Sequence, residues 1–403
     1  MSNVSEKCLM NKHILDKDIQ AYIKANRESS PTDLALKKSP FPTVTSSEIA
    51  GQVDGWQRAV KKLPTWAYSP NIYYPDKINI EQCSSEHTAL VKQTLIRKGA
   101  KVVDVTGGFG VDSCYIAQEA EIVVHCELNQ KLSEIVKYNA QQLGVNNLIT
   151  IANNGVEFVK SQPDDSLDYI YIDPSRRVNH AKVFLLEDCE PNIVELQDIF
   201  ASKSRFTLIK LSPLMDITTA LQKLKNVKLV YVISVDGDCK ELLFFQDREF
   251  NGTAKITAIR LIYDQLQQIT FTIEEEKSAL IKTSAPLLYL YDPDVAVTKA
   301  GAFKMTAKYF NLAKLHTHAH LYTADHIETE FPGRVFEIKH VYNFNEFKKS
   351  NTISKANVAT KNFPMKVEEL RKKFKIKDGG KDFLYFTTDP AGNYIVIHCF
   401  KVK

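Results

Sequence analysis

The stretch Lys101-Val-Val-Asp-Val-Thr-Gly-Gly-Phe-Gly-Val-Asp112 decides the fold. A short apolar run ends in a turn with three glycines in four positions, and residues 113–120 continue with helical character. Glycine permits a tight turn and lets backbone N–H groups approach a ligand closely. A strand, turn and helix in this order open a nucleotide-binding α/β sheet. Gly108-Phe-Gly110-Val-Asp-Ser113 fits the GxGxxG spacing only loosely, so the following segments carry the reading. Residues 122–126 are a second buried strand with Glu127 at its carboxyl end, and 131–143 are an amphipathic helix. Residues 148–152 form a third strand running into Asn153-Asn154-Gly155. Residues 167–172 form a fourth, running into Asp173-Pro174-Ser175-Arg176-Arg177. Ligands of open α/β sheets bind beyond the carboxyl ends of the strands, and Asp104, Glu127, Asn154 and Asp173 stand at those ends.

Outward from this centre, 205–211 read as a fifth strand leading to Lys210-Leu-Ser-Pro213, and 216–224 as a helix. Strands at 227–235 and 241–246 are joined by only Asp236-Gly-Asp-Cys-Lys240, which forces an antiparallel pair. Residues 253–262 and 268–273 form one more hairpin. Segments 287–292, 295–310, 316–322 and 334–342 read strand, helix, strand, strand. The chain closes with a strand at 357–362, a helix at 367–374 and strands at 383–388 and 394–402, the last two joined by the turn Asp389-Pro-Ala-Gly-Asn393. On the N-terminal side, 1–37 are mostly helical, Ser39-Pro-Phe-Pro42 is extended, and 46–63 are helical with Ser46 as cap. Residues 63–66 and 71–75 form an aromatic loop segment. Its Trp66, Tyr73 and Tyr74, with Trp56, either stack on a base or pack a helical cap. Residues 84–96 are a helix capped by Ser84, and 181–200 are mostly helix broken at Pro191.

The 403 residues suffice for two or three domains, and 44% hydrophobic with 25% charged residues is ordinary for a globular protein. No stretch approaches the ~20 apolar residues of a membrane span, and the first residues carry charges throughout, which predicts a soluble chain without a secretory signal. Seven scattered cysteines show no CxxC or Cys/His spacing, so no metal is expected and a reducing, cytoplasmic setting is. The net charge of +4 hides an asymmetry: residues 333–403 hold fifteen Lys and Arg against seven Asp and Glu. A basic end of this kind fits a polyanionic partner or a solvated surface.

Residues 80–250 resemble the class I S-adenosylmethionine-dependent methyltransferases. Asp104, Gly107, Gly108 and Gly110 match the motif around the methionine and ribose of the cofactor; Glu127 matches the acid on the ribose hydroxyls, Asn154 stands where an Asp often meets the adenine amino group, and Asp173-Pro174 matches the catalytic loop. Nearly the whole chain resembles a bacterial methyltransferase family with C-terminal ferredoxin-like and THUMP-like domains, through Glu81-Gln-Cys-Ser-Ser-Glu86, Lys210-Leu-Ser-Pro213, Cys239-Lys-Glu-Leu-Leu243 and the tail from Asn362-Phe-Pro to Asp378-Gly-Gly380. The resemblance implies an α/β fold: a Rossmann-like class I methyltransferase sheet with an antiparallel seventh strand, an N-terminal helical cap (1–79), a catalytic domain (80–275), a ferredoxin-like domain (276–332) and a basic THUMP-like domain (333–403). It also places Thr106, Phe109 and Gly155 at the cofactor. A dehydrogenase fits less well, because its seventh strand would not be antiparallel.

For the chemistry, Asp104 either orients the glycine loop or holds the methionine amino group. Gln82 or Ser85 either touches the cofactor or serves the helix start. Asp173 and Pro174 form the expected methyl-transfer edge, where the protein mainly orients the nucleophile. The continuation Ser175-Arg176-Arg177 has no aromatic platform for a base amino group, and the two arginines either grip phosphate or pair with acids. Lys210 and Glu241 lie at the same expected edge as Asp173. Together they resemble the Lys-Asp-Lys-Glu set of ribose 2′-hydroxyl methyltransferases, with Lys92 the nearest candidate for the first lysine, out of register. Arg371, Lys372 and Lys373 are expected to follow an RNA backbone, tRNA or rRNA by the THUMP resemblance. The alternatives are a methyltransferase for a small molecule or protein, and a non-catalytic RNA-binding protein on the same scaffold.

Overall fold

Helices at the N-terminus form where the sequence supplies both a cap and an apolar stripe. The computed structural model describes residues 10–176, 185–262 and 265–402. Two compact units divide the chain: 1–228 with 243–252, and 229–242 with 253–403. In the first, α1 (Lys17–Ala25) buries Ile19 and Ile23, and α2 (Pro31–Leu36) starts on Ser30, whose hydroxyl accepts from Asp33 N. A reciprocal capping box opens α3 (Ser46–Lys62): Thr45 Oγ1 accepts from Glu48 N, and the Glu48 carboxylate accepts from Thr45 N at 2.7 Å. The cap is thus Thr45 rather than the expected Ser46, because Thr45 has the extended backbone a cap needs (φ −83°, ψ 157°).

Residues 64–68 are helical, as α4 (Pro64–Tyr68), where a loop was expected; Pro64 occupies the first turn, a position with no N–H to satisfy. Then come α5 (Lys77–Gln82) and α6 (Glu86–Thr94). Ser85 caps α6, one residue beyond the expected Ser84. Ile14, Ile49, Val53, Leu63 and Trp66 share one apolar core with Phe109, Val111, Tyr115, Leu132 and Ile135, so the helical cap is packed onto the start of the α/β layer. Two side-chain amides reinforce this packing: Gln52 exchanges hydrogen bonds with the backbone of Tyr74, and Asn139 with that of Tyr73. Trp66, Tyr73 and Tyr74 are buried, which assigns them to packing rather than to base stacking. Trp56 is partly buried, with its indole N–H on Ala67 O.

The layer itself alternates strand and helix: β1 (Lys101–Asp104), α7 (Val111–Ile116), β2 (Ile122–Cys126), α8 (Gln130–Gln142), β3 (Leu148–Ile151), α9 (Gly155–Ser161) and β4 (Leu167–Ile172). The short pair β5 (Ser175–Arg176) and β6 (Cys189–Glu190) follows, then α10 (Ile193–Lys203), β7 (Ser204–Leu211) and α11 (Ile217–Lys223). The parallel strands lie in the order β3-β2-β1-β4-β7. Strand order reverses between β1 and β4, later strands being added on opposite sides of β1, which makes their carboxyl ends the switch point where such sheets hold ligands.

In the second unit, β8 (Val227–Val235) turns at Asp236 and Gly237, both with positive φ, into β9 (Asp238–Asp247), whose residues 243–247 belong to the first unit. The turn confirms the expected reversal of the seventh sheet strand. β10 (Lys255–Ile262) pairs parallel with β8 and antiparallel with β11 (Gln265–Thr272). After α12 (Ile273–Ser278) come β12 (Tyr289–Pro293), α13 (Val295–Ala300), α14 (Phe303–Tyr309), β13 (Ala313–Lys314), β14 (Tyr322–Ala324), β15 (Gly333–Asn343), α15 (Phe344–Ser350), β16 (Asn357–Thr360), α16 (Val367–Phe374), β17 (Asp382–Thr388) and β18 (Tyr394–Lys401). One seven-stranded sheet, β13-β14-β12-β15-β18-β17-β16, contains the last seven strands, β12 to β18, with β15 antiparallel to both β12 and β18. The helix expected over 295–310 is two, separated at Gly301, which adopts a left-handed φ of +75°. The strand expected over 316–322 is irregular until β14 begins at Tyr322.

Candidate active site

The site is built at the carboxyl edge of the parallel strands of the first unit. Asp104 ends β1 and is buried, one carboxylate oxygen accepting from Thr106 N (3.1 Å) and the other from the Ser113 hydroxyl (2.5 Å). Its role in the structure is to hold the loop and the start of α7 together. Burial outweighs those hydrogen bonds and pushes its pKa up to about 7. Thr106 in turn accepts from Asp173 N (2.7 Å), which fixes the end of β4 against the loop after β1.

Each glycine of the loop has its own reason. A Cβ on Gly107 would lie 2.2 Å from Nε2 of His125, whose ring is fully buried beneath the loop. Burial lowers that imidazole to about 4, so it is neutral at physiological pH. Gly110 has φ +75° and would strike Val136. Gly108 also has positive φ (+56°), yet a Cβ there would meet nothing closer than 3.8 Å. The loop is therefore packed from below and open at Gly108. Phe109 points into the core, edge-on to Trp66 with ring centroids 5.0 Å apart.

Glu127 sits beside the open side of the loop. One of its oxygens accepts from Gly108 N (3.0 Å) and the other from Asn129 N (2.7 Å). A carboxylate has about four acceptor positions, so lone pairs remain for two ribose hydroxyls. Leu128, next in sequence and 73% exposed, is an apolar surface that the sequence reading missed. Asn154 caps α9, its Oδ1 accepting from Val156 N and Glu157 N. Gly155 is required by close approach: a Cβ would lie 2.3 Å from Val105 O. Gln82 is exposed, and Ser85 serves as the helix cap.

Asp173 and Lys210, from the ends of β4 and β7, form an ion pair at 2.5 Å, with Lys210 largely shielded and Asp173 half-exposed. Pro174 follows, partly buried. Glu241 lies on β9 in the second unit and is buried. Arg371, Lys372 and Lys373 also belong to that unit, on α16, where Arg371 pairs with Asp378 and the two lysines are exposed. The backbone of Arg176 is described as part of β5, whereas Arg177 lies outside the described residues. Among the described residues no group of His, Cys, Asp and Glu could hold a metal, and no helix is long and apolar enough to cross a membrane.

Two family models match the C-terminal part of the chain. A ferredoxin-like domain family matches residues 289–332 and a THUMP-like domain family matches 333–401. No curated protein matches the chain. Over 98% of this chain and all of its own, the crystal structure of a candidate methyltransferase from Porphyromonas gingivalis W83 is similar, at 32% identity and TM-score 0.87. M. capricolum TrmK in complex with S-adenosyl-homocysteine matches 40% of this chain and 68% of its own, at 20% identity and TM-score 0.32. The fold is that of a class I methyltransferase. The chain belongs to the bacterial family of that P. gingivalis protein, whose members carry C-terminal ferredoxin-like and THUMP-like domains.

Proposed function

We propose that the chain is an S-adenosylmethionine-dependent methyltransferase that modifies RNA, with methyl transfer at the Asp173-Pro174 edge. The observation that carries this reading is the open, left-handed Gly108 beside Glu127: a cradle with room on one face and an acid placed for ribose hydroxyls. When bound, the cofactor supplies a methyl group activated on a sulfonium sulfur. Glu127 holds the ribose, the loop from Thr106 to Gly110 supports the methionine end, Leu128 offers an apolar surface to the adenine, and Thr106 keeps Asp173 at the edge. The RNA part is supported by the basic excess of residues 333–403 and the exposed Lys372 and Lys373. Arg176 and Arg177 are proposed to hold substrate phosphate.

Calorimetry with S-adenosylmethionine tests the cofactor. Wild type should bind, and Glu127→Ala should bind roughly 150-fold more weakly or worse, the loss of about two hydrogen bonds to a charged group at about 1.5 kcal/mol or more each. No binding by wild type overturns the reading. Transfer of labelled methyl groups to RNA from cells lacking the protein, but not to RNA from cells that have it, tests the substrate.

A second reading, methylation of a ribose hydroxyl, is favoured by the Asp173–Lys210 ion pair. A cation beside the nucleophile stabilises oxygen as it loses its proton and opposes an amine that is gaining positive charge. In that reading the cofactor would supply the methyl group from its sulfonium sulfur, and Asp173 would accept the proton that the hydroxyl gives up. Digestion of the methylated RNA to nucleosides distinguishes an O-methyl ribose from an N-methyl base.

A further inference from the structure

Three consecutive residues at the end of β2 carry the middle of the glycine loop. Gly107 N donates to Cys126 O (2.9 Å), Gly108 N donates to Glu127 (3.0 Å), and the His125 ring lies directly beneath Gly107. The two ends of the loop are fixed separately. Asp104 holds Thr106 N and the Ser113 hydroxyl. Asp112, in the first turn of α7, is gripped by the buried Lys92 ammonium (3.0 Å), the Ser84 hydroxyl (2.7 Å) and the Tyr171 phenol (2.6 Å). The height of the middle, where Gly108 is open, therefore depends on the end of β2.

Histidine is a costly seat for a loop. The His125 ring is fully buried, and among the described residues neither of its nitrogens has a hydrogen-bond partner of full geometry. The peptide groups of Gly107, Gly108 and His125 itself act on the ring as acceptors, but burial outweighs them. A buried donor and acceptor left short of partners cost stability that an apolar side chain of similar size would keep. Packing alone thus gives no reason for an imidazole here. Its direction does: Nε2 is the atom nearest to where a Gly107 Cβ would stand, at 2.2 Å, and lies 3.5 Å from where a Gly110 Cβ would stand. The Gly107 carbonyl takes Gly110 N (3.0 Å), which uses one of its two acceptor positions and leaves the second.

We propose that His125 is a positioning residue for the cofactor: an N–H donor beneath Gly107 that steadies the loop so that Gly108 N–H and Glu127 stay together, and that tightens onto the Gly107 carbonyl as the cradle fills. The proposal rests on reading the loop as a cofactor cradle. It differs from a packing role in what replaces the ring. Leucine fills a similar volume and offers no donor, so it serves packing and fails positioning. Glutamine places its amide nitrogen near the position of Nε2 and restores the donor.

The experiment compares full-length wild type, His125→Leu and His125→Gln. By calorimetry, His125→Leu should bind S-adenosylmethionine about tenfold more weakly than wild type, one hydrogen bond lost, while its thermal midpoint does not fall. His125→Gln should bind within threefold of wild type. Binding by folded His125→Leu within threefold of wild type overturns the proposal, and so does an equal loss in both variants. Amide exchange in ¹⁵N-glycine-labelled protein without ligand gives the second readout: the Gly108 amide should exchange at least threefold faster in His125→Leu and not in His125→Gln, with the Gly51 and Gly144 signals in place as evidence of folding. Should the variants not fold, wild type decides: the ring ¹⁵N signals of His125, assigned through its backbone, should shift on saturation with S-adenosylmethionine, and unmoved signals overturn the proposal. The two failures are distinguishable, since absent binding by wild type with the Gly108 exchange effect intact removes the cofactor reading alone.

Discussion

Asp104 and His125 lie under one glycine loop and titrate in opposite senses. Asp104 ionises near 4 when unfolded and near about 7 when folded. The folded state is the better proton binder between those values, so this group costs stability as pH rises through them, by about 1.4 kcal/mol per pH unit. For His125 the folded value is about 4 and the unfolded value about 6.5. Its contribution is complete above about pH 6.5 and is lost as pH falls toward 4. In wild type the two slopes offset each other. Asp104→Asn keeps an acceptor for Thr106 N and removes one titration. Its stability relative to wild type should climb from pH 4 to 7, and its own stability should drop steadily below pH 6.5. Urea midpoints at four pH values in that range check both slopes.

At the scale of elements, the contrast between two glycines is diagnostic. Gly155 starts α9 against the backbone of Val105, and a backbone atom cannot swing aside. Gly155→Ala should cost about 1–3 kcal/mol of overpacking and displace the loop after β1. Gly51 lies inside α3 with nothing within 4 Å of the added Cβ, so Gly51→Ala should stabilise by about 0.5–1 kcal/mol. Thermal melts of the two variants should move in opposite directions. These elements were largely legible: the glycine turn, the four strand ends and the reversal at Asp236 and Gly237 follow from local patterns of period and turn chemistry. Where reading slipped, neighbours were competing. Thr45 with Ser46, and Ser84 with Ser85, can each cap a helix. Tertiary contacts chose between them, because Ser84 is drawn to Asp112 and Ser46 to Lys37 O. The Lys92–Asp112 pair was beyond local reading, since a lysine on a helix ordinarily faces water and its partner lies 20 positions away, past β1.

On the scale of the molecule, the second unit crosses a boundary that the family matches draw at residue 333. β15 pairs with β12 on one side and β18 on the other. Asp292, at the end of β12, is buried and receives Arg334, Lys361 and the Tyr385 hydroxyl, all from beyond that boundary. A fragment of residues 333–402 would expose a long strand edge and leave those groups without their carboxylate. It should show no cooperative melt by circular dichroism, whereas 253–402 should show one. The basic surface belongs to the same scale. Lys348 from α15 and Lys373 from α16 both lie over the Phe344 ring, which brings the positive charge of two helices to one place. If single-stranded RNA is neutralised there, Lys372→Ala with Lys373→Ala should reduce the slope of log affinity against log salt by about 1.4. Filter binding at several salt concentrations reads this directly.

The chain has two tryptophans, and they differ in a useful way. Trp56 is partly buried with the Arg27 guanidinium over its face, while Trp66 is sealed in the core with its ring against Phe109 of the glycine loop. The protein therefore has a natural fluorophore touching the underside of its candidate cofactor cradle. In a Trp56→Phe variant the remaining emission comes from Trp66 alone, so occupation of the loop becomes an optical signal that needs no label and no knowledge of the methyl acceptor.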